Sequence, residues 1–112
     1  GPSGVALAKL FERWGIAGEI KDKLVIAPPG VPVGSLLAKG EVELGFQQLC
    51  ELMFLDGITV VGMLPDSIQI TTIFSAGIGA KCQNVDVVRK ILTDMNSPAA
   101  TAIKRRNGME PA

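Results

Sequence analysis

The segment Gly30 to Phe46, GVPVGSLLAKGEVELGF, constrains this chain more than any other, because a short helix halted by a glycine passes at once into an alternating apolar run. Pro32 suits the first turn of a helix, where its missing N–H would have no partner anyway. Val33, Leu36 and Leu37 form one apolar stripe, and Gly40 ends it. Val42, Leu44 and Phe46 then alternate with polar or small residues, the period of a strand with one buried face. A helix followed so closely by a strand calls for a layered fold in which helices cover a sheet.

The same alternation runs through the rest of the chain. Between Val5 and Trp14, the residues Leu7, Leu10, Phe11 and Trp14 keep helical spacing, with Ser3 near the start and Gly15 just past the end. Leu24-Val25-Ile26-Ala27 reads as a short buried strand closed by Pro28-Pro29-Gly30. Gln47 to Phe54 reads as helix through Leu49, Leu52 and Met53, and Asp56-Gly57 as a turn. Ile58-Thr59-Val60-Val61 and the stretch from Ile68 to Phe74 supply two more strands. Asn84 opens a helix with the stripe Val85, Val88, Leu92 and Met95. Ser97-Pro98 opens the last helix, with Ala99, Ala102 and Ile103 inward and Gly108 as terminator. The expected fold class is α/β, a small, largely parallel sheet flanked by helices.

Composition narrows the function. A chain of 112 residues suits one domain that removes about two-thirds of its unfolded surface from water. Its hydrophobic fraction of 47% and charged fraction of 20% are those of a globular protein, and no run approaches the ~18 apolar residues of a membrane span. Eleven basic and eleven acidic side chains cancel, so no overall field favours nucleic acid or an anionic membrane as partner. The basic cluster Lys104-Arg105-Arg106 falls in the last turn of a helix, where cations complement the dipole.

Cys50 and Cys82 have no CxxC or histidine company, and the chain holds neither His nor Tyr. No metal, no cofactor and no catalytic residue is therefore expected. The amino-terminal GPSGV has none of the regions of a secretory signal, which points to the cytoplasm for the chain as given. Gly1-Pro2 fits either a tag-cleavage scar or native sequence.

Five stretches, taken in order and spacing, carry a resemblance: SGVALAKLFERWGI, AKGEVELGFQQLCEL, DGITVVGMLPDSIQ, TTIFSAGI and SPAATAIKRRNGMEPA. Over nearly the whole chain they look like the molybdate-binding type of periplasmic solute-binding protein. The pair Gln47-Gln48 and the terminal Gly-Met-Glu-Pro resemble its aconitate isomerase-like subset, whose relatives recognise small polycarboxylates.

The resemblance implies two α/β lobes joined by crossing strands, in a type II periplasmic-binding-protein fold, with an oxyanion held between them without metal. Residues 1–67 would be a second-lobe-like α/β segment. Residues 68–112 would be the crossover strand and C-terminal helices, folding with it as one unit and leaving most of the first lobe outside this sequence. A permease of an ABC transporter would be the partner and the periplasm the location.

The matching ligand-binding positions are Ser3 and Gly4 at the first helix start, Gly30 and Val31 at the second, and Gln48 after the strand. Elementary physics supports such a choice, since free N–H groups and the positive dipole end make a helix start an anion site. Each residue also has a plainer use: Ser3 as a cap, Gly30 as a turn residue, Gln48 as a tie for a loop. The chain departs from the family pattern at Met53-Phe54-Leu55-Asp56 and at Met63, where large apolar groups stand in place of proline-containing loops. Those groups support a second expectation, an oligomerising structural or interaction protein that binds no solute. Isomerase activity is not expected.

Overall fold

A computed structural model describes residues 1–111. The chain divides into two units, Gly1–Thr72 and Ile73–Ala112, each built on helices.

The first unit opens with α1, Pro2–Arg13. A 3₁₀ turn, Lys21–Lys23, follows the single-turn α2, Ala17–Ile20. The short helix α3, Val33–Ala38, and the single-turn α4, Leu49–Leu52, complete its α-helices, and a second 3₁₀ turn spans Asp66–Ile68. The second unit holds α5, Val85–Met95, and α6, Pro98–Arg106.

Glycine sets where the helices stop. Gly15 follows α1 at φ +73° and Gly40 follows α3 at φ +73°. After α1, the Gly15 N–H donates to the Glu12 carbonyl and the Ile16 N–H to that of Phe11, at 2.9 and 3.1 Å. After α3, Gly40 and Glu41 repeat the pattern on Leu37 and Leu36. This paired bonding satisfies the last carbonyls and requires a left-handed residue that only glycine adopts without strain. At the other end of α6, the Ser97 hydroxyl accepts from the Ala100 N–H at 3.3 Å with Pro98 just behind it.

The α/β expectation is overturned: the described residues contain no strand and no sheet. The four runs read as strands, 24–27, 42–46, 58–61 and 68–74, form no ladder, and the last begins inside the 3₁₀ turn. The reason is the origin of the hydrogen bonds. A helix finds its acceptors four residues back, whereas a strand must borrow them from another segment lying alongside. These runs exchange no ladder bonds with one another, and the most exposed of their side chains stand in solvent: Ile26 is 90% and Val61 91% exposed.

Two further expectations change. The helix read over Gln47 to Phe54 shrinks to the turn Leu49–Leu52. In α6, Ala99, Ala102 and Ile103 are exposed rather than inward, and Ala100, Thr101 and Lys104 form the better-covered face.

Packing in the first unit centres on α3. Leu10 and Leu36 are each only 7% exposed, and Gly34 is buried with them. A side chain at Gly34 would run into Leu55, with Leu52 and Ile58 beside it. One at Gly45 would meet Leu37 and Val33, both at 2.8 Å. The missing Cβ atoms thus let α4 and the chain around Gly45 close on α3. Phe46 meets Phe11 of α1 edge-on, ring centres 6.1 Å apart, tying α1 to the same cluster.

Candidate functional site

Of the five positions expected to touch a ligand, two lie in the first turn of α1. Gly1 is the N-cap, Pro2 the first helical residue, and Ser3 and Gly4 follow. No side chain caps this helix, so Ser3 is not the cap that its type suggested. The Val5 N–H donates to the Gly1 carbonyl at 3.2 Å, but the helix supplies no acceptor for the amides of Ser3 and Gly4. Nothing lies within 4 Å of where a Gly4 side chain would begin, so the helix is open on that side. Together with the dipole of a 12-residue helix they form a weakly positive patch.

Gly30 and Val31 belong to a tight turn. The Val31 N–H donates to the Pro28 carbonyl at 3.0 Å, and Gly30 has φ +80°. Proline followed by glycine at the two central positions is the pattern of a type II turn, in which the second must take positive φ. Gly30 is therefore required by its backbone conformation and not by a close neighbour, since a Cβ there would meet nothing within 4 Å. The amide of Val31 is committed inside the turn.

Gln48 is the N-cap residue of α4, its carbonyl accepting from the Glu51 N–H at 2.9 Å. Its side-chain Oε1 receives only the Cys50 thiol, at 3.9 Å. The neighbour, Gln47, reaches further: its Oε1 accepts from the Gly34 N–H at 3.4 Å, across thirteen residues. That amide is one of the orphan donors in the first turn of α3, where Pro32 is the N-cap and offers no side-chain oxygen. Gln47 is thus the glutamine that reaches the start of α3, while Gln48, the expected ligand contact, does not. The proline at the N-cap was the available clue, because it leaves the first turn in need of an outside acceptor.

No hydrogen bond joins Ser3 or Gly4 to Gly30, Val31 or Gln48 among the described residues. Open grooves lie elsewhere on the first unit. One, of about 270 Å³, lies between α1 and the second 3₁₀ turn, lined by Ala6, Lys9, Leu10, Arg13 and Ser67 to Ile70. The other, of about 310 Å³, runs past Leu37, Val42, Glu43 and Gly57 to Thr59, with Val61 at its edge. Neither takes in any of the five positions. Cys50 and Cys82 are free thiols, each half-buried.

Residues 1–110 match the family of bacterial extracellular solute-binding proteins. The chain belongs to that family, whose members bind small solutes. It is 36% identical over 110 residues to an aconitate isomerase of Pseudomonas sp, an alignment covering 97% of this chain and 42% of the relative. The chain thus spans less than half the length of that curated protein. No solved structure gives a significant match.

Proposed function

We propose that the chain forms one wall of a receptor site for a small oxyanion, most favourably a polycarboxylate, presented in the periplasm to an ABC-transporter permease. The observation that carries this reading is the 36% identity to a protein named for acting on aconitate, sustained over 110 residues. Ser3 and Gly4 are the first contacts, because their amides have no acceptor in α1. A carboxylate there would accept two N–H bonds and neutralise the positive helix end without needing a formal cation. Gly30 and Val31 shape the turn before α3, and Gln48 offers an amide beyond the Phe46 contact. In this reading molybdate and sulfate are competitors of the carboxylate, distinguished by size and by the number of oxygens they present.

Binding rather than turnover is the reading for this chain, since it holds neither His nor Tyr to move a proton. Calorimetric titration tests the proposal with citrate, cis- and trans-aconitate, molybdate and sulfate. Heat with a carboxylate, lost on Gly4→Pro, supports it; absence of heat and of thermal shift with every anion rejects it. An ultraviolet assay of aconitate isomerisation that gave turnover would overturn the non-enzymatic part.

A second reading is favoured by a different observation. Leu24, Val25, Ile26, Val61 and Met63 of the first unit are all exposed. Exposed apolar side chains of this kind favour association with another copy or another polypeptide where they adjoin. On that reading the chain is an interaction unit, and light scattering that showed a monomer at every concentration would exclude self-association.

A further inference from the structure

The groove between α1 and the second 3₁₀ turn has a composition that the solute-binding reading does not use. Lys9 and Arg13 stand one helical turn apart on the same face of α1 and both line it. Two cations so placed repel each other and weaken the helix unless an anion lies between them. Among the described residues no carboxylate does so: the ion pair joins Arg105 and Glu110, in the other unit. Glu12 and Asp66, adjacent in sequence to the groove residues, do not line it.

The opposite wall carries Ser67 and Gln69, a hydroxyl and an amide that donate hydrogen bonds, while Ala6, Leu10, Ile68 and Ile70 supply apolar surface. Leu10 is buried beneath this lining, whereas Lys9, Arg13, Ser67 and Gln69 are exposed, so the groove is an open surface site. A volume of about 270 Å³ lies just below the roughly 300–1,000 Å³ typical of drug-sized ligand sites. It suits a compact metabolite and is too small for a dinucleotide.

We infer that this groove is a separate anion site for a small di- or tricarboxylate, with Lys9 and Arg13 neutralising it and Ser67 and Gln69 fixing its orientation. Arg13 supplies a planar fork that matches one carboxylate with two parallel hydrogen bonds, and Lys9 a point charge for a second. A short aliphatic backbone between the carboxylates lies against Ile68 and Ile70. Monocarboxylates satisfy only one of the two cations, so the site discriminates by charge number. The inference is independent of Ser3, Gly4, Gly30, Val31 and Gln48.

The experiment is a backbone amide NMR titration of the whole chain with tricarballylate, and with acetate as the monoanion. The expected result is saturable shifts at residues 9–13 and 67–70 with tricarballylate, and at least tenfold weaker binding of acetate. The double variant Lys9→Gln/Arg13→Gln is expected to raise Kd at least tenfold with unchanged helical circular dichroism. Arg89→Gln/Lys90→Gln, which removes two charges elsewhere, is expected to leave Kd unchanged. Shifts confined to Ser3, Gly4, Gly30 and Gln48 would overturn the groove while leaving the receptor reading intact. Equal weakening by both double variants, or no shifts at any site, would overturn it as well.

Discussion

The Gly34 amide and the Gln47 side chain meet at 3.4 Å across thirteen residues, so the start of α3 is closed by a residue beyond its own far end. Pro32 cannot perform this task, because a proline at the N-cap has no side-chain oxygen for the first-turn donors. The bond therefore links helix initiation to the path of the chain through Phe46, which itself packs on Phe11.

Removing that acceptor tests the link. Gln47→Ala leaves the amide of the buried Gly34 unpaired, and the expected cost is about 0.5–1.5 kcal/mol, the lower part of the range being favoured by the long bond. Gln47→Glu keeps an oxygen there and adds a charge that the helix start favours, so its stability should equal or exceed the parent's. Gln48→Ala should be nearly silent, since its side chain receives only a thiol at 3.9 Å. Urea midpoints of the three variants decide between Gln47 and Gln48 as the structural glutamine.

Gly34 itself is replaceable only at a cost. A methyl group there runs into the Leu55 side chain, with Leu52 close behind. Overpacking of this kind costs about 1–3 kcal/mol. Combining Gly34→Ala with Leu55→Ala should recover part of the loss, because the two share the same space. A purely additive double variant in denaturant titration would show that the two side chains do not compete.

Gly30→Ala addresses the turn before α3. At φ +80° a Cβ is strained even though the surrounding space is open. The expected loss is about 1–2 kcal/mol, and Gly30→Asn should lose less because asparagine tolerates the left-handed region. Equal stability of the parent and the alanine variant in thermal melts would contradict the turn geometry.

What the sequence disclosed divides along the range of the interactions. Helix ends were legible: Gly15, Gly40 and Gly108 each sit at positive φ after a helix, and Ser97 caps α6 with its hydroxyl. Those are contacts within a few residues. The sheet was not, because Leu24 to Ala27 and Ile58 to Val61 carry the composition of strands but form no ladder with another segment. Composition records what a segment suits, and hydrogen-bond partners decide what it becomes. Among the positions proposed for a ligand, the turn that Gly30 makes was legible from the Pro-Pro-Gly run. Which glutamine faces α3 depended on a contact thirteen residues away. The Lys9 and Arg13 groove needed the segment from Ser67 to Ile70 to be brought alongside α1, which no local pattern announces.

The exposed strand-like runs give the last prediction. Ile26 and Val61, 90% and 91% exposed, make no demand on the interior of the first unit. Replacing either with lysine should therefore change stability by no more than about 0.5 kcal/mol, as for surface positions away from special features. The same substitutions place charges at exposed apolar positions, and charge there opposes apolar association. Sedimentation velocity should show the parent chain shifting to larger species with concentration, and Ile26→Lys/Val61→Lys displaced toward the monomer. Unfolding of the double variant, read by circular dichroism, would mean that these residues are buried within the unit, against their exposure here. An unchanged monomer for both proteins would remove self-association.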